Sequence, residues 1–209
     1  MILVAIDFTE NNLTHTSEHS IAESIRDYLI RNYIKNDGEF EFLRHETGKP
    51  FIANSDITYS LSHTNGCIGC AFCVDNILSN VPRLPSVVSS SGVYVLQSNF
   101  PCEIGLDIEV CDTSRTKERM DAIATRYYSE GEKNRLFEAE DSFSVFYSIW
   151  TRKESYVKCT GEGMKAITSI DTANLPRGCE MFEFMLKNGN NTFAASVCLM
   201  EKVFLDNKL

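Results

Sequence analysis

The sequence predicts an α+β fold of two similar lobes, in which mostly antiparallel sheets have helices on their flanks. Both halves of the 209-residue chain contain segments that alternate in polarity, as strands do, beside longer segments with helical spacing. Two Asn-Gly pairs, Asn65-Gly66 and Asn188-Gly189, each separate two strand-like segments, and such pairs favour the tight turns of hairpins. We find no strong internal sequence repeat, so the similarity of the lobes rests on the order of their elements.

In the first half, the pattern predicts one strand, one long helix and three further short strands. Val4, Ile6 and Phe8 alternate with Ala5 and Asp7, which is typical of a strand. The segment from Ser17 to Ile34 carries apolar residues at steps of three and four, which indicates a helix. The short strands are expected near residues 40–43, 57–61 and 67–74.

The segment 75–101 is predicted to be a surface excursion with one strand at Val93–Leu96, because prolines and a Ser-Gly cluster interrupt it. We therefore expect a first lobe at 1–101, including this insertion near 75–101, and a second lobe at 102–209. The second lobe is predicted to contain, in order, a strand at 103–110, two or three helices within 115–137 and 141–159, and a hairpin with strands at 181–186 and 193–200.

The composition is that of a globular protein and excludes several classes of function. The net charge of −9 argues against a nucleic-acid partner, because phosphate contacts need a basic patch. No apolar run reaches the roughly 20 residues of a membrane helix, and Met1–Ile6 lacks the basic start and cleavage site of a signal peptide. We expect a cytoplasmic protein in which the eight cysteines are thiols.

Two carboxylates lie on one face of the predicted strand at 103–110. Asp107 and Glu109 point the same way, because side chains of a strand alternate between its faces. Adjacent carboxylates repel each other, and a hard divalent cation such as Mg²⁺ removes that repulsion. A half-exposed strand with a polar face explains the same pattern, so the pair alone leaves both interpretations open.

A second candidate is the stripe that Phe143, Tyr147, Trp150, Glu154 and Lys158 form at steps of three and four on a predicted helix. The stripe is aromatic at its start and charged at its end, which indicates that this end of the helix borders a polar site. A helix whose last turns emerge into water, with a Glu–Lys pair four residues apart, accounts for it equally well.

Two weaker signals lie in the first half. Gly48 permits a tight turn, and Lys49, which Pro50 restricts to an extended backbone, offers a positive charge to a phosphate. Ser62 and His63 come at the end of a predicted strand, where a hydroxyl and an imidazole can bind phosphate oxygens. Each pair is common, so neither carries an assignment alone.

Together, these pieces resemble a known family. Gly-Lys-Pro at 48–50, Ser-His at 62–63, Gly-x-Asp-x-Glu at 105–109 and W-x-x-K-E-S-x-x-K at 150–158 follow in the order found in the 4′-phosphopantetheinyl transferases of the surfactin-synthetase-activating type. The last motif is the specific one, and the resemblance spans roughly residues 47–163. It implies a pseudo-twofold pair of lobes with coenzyme A in the cleft between them, and it permits a working monomer.

The resemblance implies a role for each residue that matches a motif. Asp107 and Glu154 would be Mg²⁺ ligands, with Glu109 as a third ligand or the holder of a bound water, and Mn²⁺ is an alternative metal. Lys158 would contact the pyrophosphate of coenzyme A. The remaining positions would bind its phosphates or line the nucleotide site: Gly48, Lys49, Pro50, Ser62 and His63.

The implied reaction transfers 4′-phosphopantetheine from coenzyme A to a serine of an apo acyl-, aryl- or peptidyl-carrier protein and releases 3′,5′-ADP. Mg²⁺ and Lys158 would neutralise the growing charge, and Glu154 would accept the proton of the serine. We expect the carrier to dock on an apolar patch with a basic rim, to which Trp150, Arg152 and Lys153 could contribute. A non-catalytic homologue that binds carriers or coenzyme A is the alternative.

The chain departs from the family pattern in two places. The insertion at 75–101 stands where a short turn is expected, and it could be an ornament, a carrier contact or an oligomer contact. The family also places an arginine or lysine of the first lobe on the 3′-phosphate of coenzyme A. The sequence offers four candidates and does not separate them: Arg26, Arg31, Lys35 and Arg44.

Two motifs point to metals but are weak. His15, Glu18 and His19 match H-x-x-E-H, which would make the chain a zinc hydrolase, although such enzymes need a third ligand. Cys67, Cys70 and Cys73 match part of an iron–sulfur run without its fourth cysteine. We interpret these cysteines as strand residues of the core, with Cys67 and Cys73 on one face and Cys70 on the other.

Overall fold

In the computed structural model, the described residues are 1–10, 14–34, 40–75, 77, 80–98 and 101–202. The strands are β1 (Ile2–Phe8), β2 (Phe42–Arg44), β3 (Pro50–Ile52), β4 (Thr58–Thr64), β5 (Cys67–Cys73), β6 (Val87–Val88), β7 (Gly92–Leu96), β8 (Cys102–Val110), β9 (Cys179–Asn188) and β10 (Asn191–Glu201). The helices are α1 (His15–Tyr33), α2 (Lys117–Tyr127), α3 (Glu130–Glu138) and α4 (Ser142–Thr160), and a 3₁₀ turn at Met164–Thr168 follows α4.

Two four-stranded sheets form the body of the protein. The first has the order β4-β5-β1-β7, and the second has the order β6-β9-β10-β8. Neighbouring strands are antiparallel, apart from the parallel pair β6–β9. The predicted α+β class with mostly antiparallel sheets is therefore confirmed, while the pseudo-twofold relation and the lobe boundaries stay predictions.

Both predicted hairpins are present. Thr64 pairs with Cys67 across the first turn, where Gly66 has a φ of +90° that an L side chain rarely adopts. Asn188 pairs with Asn191 across the second, and β9 and β10 extend beyond the predicted bounds at both ends. The turn chemistry of the sequence thus fixes the two longest local pairings.

The main core lies between the two sheets. Ile2, Val4 and Ile6 of β1 share one apolar cluster with residues of β8 and β10, whereas Leu3 and Ala5 face the cluster under α1. Cys67 and Cys73 belong to the first cluster and Cys70 to the second, as the alternation of β5 predicts. Burial of these alternating faces holds the sheets against each other and against the helices.

The segment 75–101 is more integrated than the sequence predicts. The predicted strand near Val93–Leu96 is confirmed as β7, which pairs with β1 in the first sheet. However, β6 pairs with β9 in the second sheet, and Val88 is 1% exposed within the main core. The prediction of a surface excursion was wrong for β6, because a two-residue strand has too little pattern to be recognised before its partner is known.

The helices begin and end at recognisable caps. Helix α1 begins two residues before the predicted Ser17, because the Thr14 hydroxyl accepts a hydrogen bond from the Ser17 amide. Ser129 and Glu132 form a capping box that starts α3 directly after α2 ends. The predicted two or three helices in 115–137 and 141–159 are confirmed as α2, α3 and α4. Every helix among the described residues is too short or too polar to pass through a lipid bilayer.

Helix α4 packs directly on strand β8 because Gly105 has no side chain. A Cβ atom built on Gly105 would lie 1.9 Å from the carbonyl oxygen of Ser155 and 2.5 Å from the amide nitrogen of Cys159. On the neighbouring strand β5, a Cβ on Gly69 would lie 2.5 Å from the Ile108 side chain. Glycine therefore lets the two elements that carry the predicted site approach each other closely.

The two sheets meet along a row of three hydroxyl groups on β4, which we call the hydroxyl seam (Thr58, Ser60 and Ser62). The Thr58 hydroxyl donates to the carbonyl oxygen of Cys102 at 2.8 Å. The Ser60 hydroxyl accepts from the Leu106 amide at 2.9 Å, and that of Ser62 accepts from the Ile108 amide at 3.0 Å. Along this edge of β8, the backbone groups of Cys102, Leu106 and Ile108 thus form hydrogen bonds with side chains of β4 rather than with its backbone.

Candidate active site

A cavity of about 370 Å³ lies between the two halves of the chain, next to the hydroxyl seam. The first half contributes α1, β4 and the loop before β3, and the second contributes the end of α4 and the residues after it. The predicted site residues that line this cavity are Gly48, Lys49, Pro50, His63, Glu154 and Lys158. Ser62, Asp107 and Glu109 are not among its lining residues.

The β2–β3 hairpin brings two basic residues to the cavity. Arg44 pairs with Pro50 across the hairpin, and Gly48 turns the chain with a φ of +87°. The Arg44 guanidinium donates to the Gly48 carbonyl oxygen at 3.0 Å. The Lys49 ammonium contacts Glu103 at 2.5 Å and the Cys159 carbonyl oxygen, so two of its three N–H donors are occupied.

Among the four basic residues considered for the 3′-phosphate of coenzyme A, the described residues favour Arg44. It lines the cavity and lies 3.1 Å from the ring nitrogen of His19. Arg26 is 9% exposed and stacks over the ring of Phe42 at 3.8 Å, away from the cavity lining. Arg31 is exposed on α1 and outside the lining, and Lys35 lies outside the described residues.

Glu18 holds His63 at the cavity wall. Its carboxylate is 3.2 Å from Nδ1 of His63, and Glu18 is 8% exposed. The sequence offered Glu18 as the base of a zinc site, with His15 and His19. The His15 side chain lies outside the described residues, His19 contacts Arg44 and Glu23, and no group of three metal-binding residue types is assembled in the described part.

Lys158 and Asp107 form the charged centre of the second half. The Lys158 ammonium is 2.7 Å from Oδ1 of Asp107 and 3.1 Å from the Ser62 hydroxyl. The side chain of Asp107 is 5% exposed, while that of Lys158 is 33% exposed and reaches the cavity. Ser62 therefore links the strand seam to the charged centre, and it does not line the cavity as the sequence predicted.

Burial and mutual repulsion perturb two further carboxyl groups. Burial, followed by the charges of Asp107 and Glu154, raises the pKa of Glu109 to about 7. Burial and the charge of Asp107 also raise the pKa of Glu154 to about 7. The indole N–H of Trp150 donates to Glu109 and stabilises its charged form. The three acids are thus close enough to oppose one another's ionisation, because β8 and α4 pack against each other.

The types of ligand atom at this site fit a hard divalent cation. Oδ2 of Asp107 is buried without a hydrogen-bond partner, and two neighbouring carboxyl groups hold their protons unusually tightly. Carboxylate oxygens are the ligands that Mg²⁺ prefers. The described residues do not bring three of these acids to coordination distance, and the Lys158 ammonium neutralises Asp107 in this structure.

The other residues of the W-x-x-K-E-S-x-x-K segment support α4 rather than the cavity. Trp150 packs edge-on against Tyr127 with ring centroids 5.7 Å apart. Lys153 is fully buried and lies 2.9 Å from the carboxylate of Glu132 in α3. Ser155 is buried and hydrogen-bonds to Ser196 at 3.2 Å.

The suggestion that Lys153 forms part of a basic docking rim was wrong. Its ammonium donates to the carbonyl oxygens of Ile167 and Ile170, in addition to its contact with Glu132. Arg152 pairs with Glu183 and with the Thr172 carbonyl oxygen. These side chains tie α4 to the 3₁₀ turn and to neighbouring elements. Lys153 is adjacent to Glu154 in sequence, but adjacent residues of a helix face different sides, so their proximity in sequence does not place Lys153 at the cavity.

Sequence reasoning missed several residues of the cavity wall. His19 was considered only as a zinc ligand, and Met164, at 53% exposure, was not considered at all. Gly161 ends α4 with a φ of +72°, and a Cβ there would lie 3.1 Å from the Lys49 side chain. A glycine after the last helical residue is the signal of such a helix end, but its contact with Lys49 is not readable from sequence.

Comparison with known proteins identifies the family of this site. Residues 103–198 match the model of the 4′-phosphopantetheinyl transferase superfamily. The 4′-phosphopantetheinyl transferase gsp of Aneurinibacillus migulanus is 32% identical over 67% of this chain and 46% of its own length. HetI of Nostoc sp. is 25% identical over 81% of this chain and 60% of its own length, and Sfp of Bacillus subtilis is 27% identical over 67% and 50%.

The chain spans about half the length of the curated relatives it matches. The matched region contains β8 with Asp107 and Glu109, α4 with Glu154 and Lys158, and the strands that support them. Through residues 103–198, the chain belongs to the 4′-phosphopantetheinyl transferase superfamily.

Proposed function

We propose that this chain is an enzyme that transfers 4′-phosphopantetheine from coenzyme A to a serine hydroxyl of an apo acyl-, aryl- or peptidyl-carrier protein. The observation that carries the proposal is the cavity that Lys49 and His63 of the first half line together with Glu154 and Lys158 of the second half. Cationic groups for phosphates and a carboxyl group for proton transfer are the two requirements of this chemistry. Membership of the transferase superfamily supports the same conclusion.

Coenzyme A would bind with its phosphates toward the basic side chains. Lys49 and Lys158 each spend two donors on protein oxygens, so each retains one N–H for a phosphate oxygen. Arg44 adds a planar guanidinium at the mouth of the same cavity. His63 is oriented by Glu18 and presents its ring at the wall between them.

Asp107, Glu109 and Glu154 would hold the divalent metal, for which Mg²⁺ is the natural candidate and Mn²⁺ the alternative. When bound, it would supply positive charge to the phosphate oxygens. The raised pKa values of Glu109 and Glu154 support this assignment, because a cation would offset both the burial and the mutual repulsion that raise them. The unpartnered Oδ2 of Asp107 supports it independently.

Glu154 would accept the proton of the carrier serine. Its side chain lines the cavity with Lys49, His63 and Lys158, so its carboxylate would lie within reach of a serine hydroxyl that attacks a bound phosphate. Lys158 lies one helical turn further along α4, so its ammonium would face the pyrophosphate while Glu154 faces the hydroxyl. 3′,5′-ADP would then leave from the basic side of the cavity.

Intact-protein mass spectrometry tests this function. Purified protein is incubated with coenzyme A, Mg²⁺ and a panel of apo-carriers, and one carrier should gain the mass of a single phosphopantetheine. Chelation of Mg²⁺ should abolish the gain, and so should Glu154→Gln. Glu138→Gln, which changes an exposed carboxylate on α3, should retain it. Binding of coenzyme A without transfer to any carrier would instead indicate a non-catalytic homologue.

A further inference from the structure

Two cysteines lie together where the first and second sheets meet, apart from the active-site cavity. Cys73 ends β5 and Cys102 begins β8, and the Cys102 thiol donates a hydrogen bond to the Cys73 sulfur at 3.0 Å. Cys73 is 7% exposed and Cys102 is fully buried. Their sulfur atoms are therefore near each other without any rearrangement of the backbone.

Both cysteines line a cavity separate from the candidate active site. Its volume is about 300 Å³, and its wall includes Asp56, Pro101 and Lys202. No residue of this wall lines the candidate active site. The Lys202 ammonium donates to the Asp56 carbonyl oxygen at 2.9 Å and places a positive charge beside the thiols. A small molecule that enters this cavity would meet Cys73.

The surroundings favour a thiolate on Cys73. The hydrogen bond from Cys102, with a contribution from Lys202, lowers the pKa of Cys73 to about 7 in spite of burial. Cys102 acts as the donor, and its own pKa is raised. In contrast, burial raises the pKa of Cys67, six residues earlier on the same strand, to about 12. The thiolate is the reactive form of cysteine, so the pair differs from an ordinary core cysteine.

We propose that Cys73 and Cys102 are a reversible oxidation site, which forms a disulfide when a small hydroperoxide enters this cavity. The Cys73 thiolate attacks the peroxide oxygen, the O–O bond breaks, and Cys73 becomes a sulfenic acid as hydroxide or alkoxide leaves and takes a proton. The Cys102 sulfur then attacks the Cys73 sulfur, its proton leaves with the hydroxide as water, and the disulfide forms. Two thiols lose two electrons in total, and one hydroperoxide gains them.

The disulfide would join the two sheets covalently. It would lie beside the bond from Thr58 to the Cys102 carbonyl oxygen, at the start of the strand that carries Asp107. The inference does not depend on the transferase activity, because its chemistry involves a different cavity and different residues.

Thiol counting and peptide mapping test the proposal on the intact chain. The folded protein is treated with hydrogen peroxide, quenched, unfolded and alkylated, and six of the eight cysteines should then react. Mapping should find Cys73 joined to Cys102, and dithiothreitol should restore both thiols. Retention of all eight thiols, or a link that forms between Cys179 and Cys198 in its place, would overturn the proposal; those two sulfurs are 3.6 Å apart.

Single variants separate the two chemical steps. Cys102→Ser, whose hydroxyl can still donate to the Cys73 sulfur, should stop the reaction at the sulfenic acid of Cys73, which dimedone traps with a gain of one label. Cys73→Ala should give neither the label nor the disulfide. Cys67→Ala is the matched control on the same strand, and it should form the Cys73–Cys102 disulfide as the unmodified protein does. Dimedone on another cysteine in Cys102→Ser would also contradict the proposal.

Discussion

At the scale of single residues, the site combines groups that the sequence signals with groups that only the fold brings together. Glu18 and His63 are 45 positions apart in the chain and meet because α1 lies over β4. The sequence placed Glu18 in a zinc motif, but its carboxylate orients the imidazole of His63. A pattern of neighbouring residues cannot reveal a partner on another element, so the zinc motif assigned Glu18 a role that the structure does not support.

Glu18→Gln should weaken coenzyme A binding while leaving turnover nearly intact. The amide loses the charged acceptor that orients His63, and a hydrogen bond worth roughly 1 kcal/mol corresponds to a rise in KM of about five- to tenfold. Steady-state kinetics with coenzyme A as the varied substrate measures it, and Glu138→Gln, at an exposed position on α3 outside the cavity lining, is the control. A fall in kcat at constant KM would instead assign Glu18 to the chemical step.

Glu154 should make the stability of the metal-free protein depend on pH. The folded state retains its proton up to a pH of about 7, while the unfolded chain releases it near 4.5. The folded state therefore binds more protons in this window, and the free energy of unfolding should fall as pH rises through it, by at most ~1.4 kcal/mol per unit for this group.

Denaturant unfolding in a chelating buffer between pH 4.5 and 8 measures this slope. Glu154→Gln should flatten it, because the amide does not titrate, whereas Glu138→Gln should leave it unchanged. Glu109 contributes with the same sign, since its pKa is also raised to about 7. An identical slope in Glu154→Gln and the unmodified protein would show that Glu154 ionises normally.

At the scale of elements, the position of the site depends on how closely α4 approaches β8. Asp107 and Glu109 belong to the strand, and Glu154 and Lys158 to the helix, so their separation is set by the packing distance of the two. Gly105 permits that distance, and the buried pair Lys153–Glu132 holds α4 against α3. The glycine of Gly-x-Asp-x-Glu is therefore structural, although it adjoins the predicted metal ligands.

Gly105→Ala should destabilise the protein and separate the charged groups. The new Cβ would lie 1.9 Å from a backbone oxygen, so the helix must move, and overpacking of this kind costs about 1–3 kcal/mol. Gly131→Ala in α3, where the nearest atom is 3.8 Å from the new Cβ, should be neutral or slightly stabilising. Chemical unfolding of both variants compares them, and equal stability would mean that α4 can shift freely.

At the scale of the whole molecule, the sequence predicts those strands and turns that depend on a local pattern of residues. Alternation predicts β1, β4, β5 and β8, and the Asn-Gly turns predict the pairing of β9 with β10. In contrast, β3 and β6 were missed, because three and two residues carry no periodicity and their partners are distant in sequence. Strand alternation predicted that Asp107 and Glu109 share a face, and only the resemblance to the transferase family joined Glu154 to them. The choice of Arg44 over Arg26 and the burial of Lys153 required the three-dimensional fold.

At the hydroxyl seam, the hydrogen bonds between the two sheets are made by side chains of β4, so they can break without breaking the backbone pairing within either sheet. The amides of Leu106 and Ile108 bond to the Ser60 and Ser62 hydroxyls. The alternate amides of β8 at Gly105 and Asp107 face β10, because successive amides of a strand point to opposite sides. Hydrogen exchange at residue resolution should therefore show two rates along one strand, faster at Leu106 and Ile108.

Ser62→Ala should accelerate exchange at Ile108 without changing exchange at Asp107, and Ser60→Ala should move the effect to Leu106. Uniform exchange along β8 would mean that the strand opens as one unit. If two exchange rates are observed, the hydrogen bonds of Thr58, Ser60 and Ser62 break and re-form by local opening, which is independent of global unfolding. The cavity beside these bonds can then widen and close. A ligand as long as coenzyme A could then enter a cleft whose walls remain folded throughout.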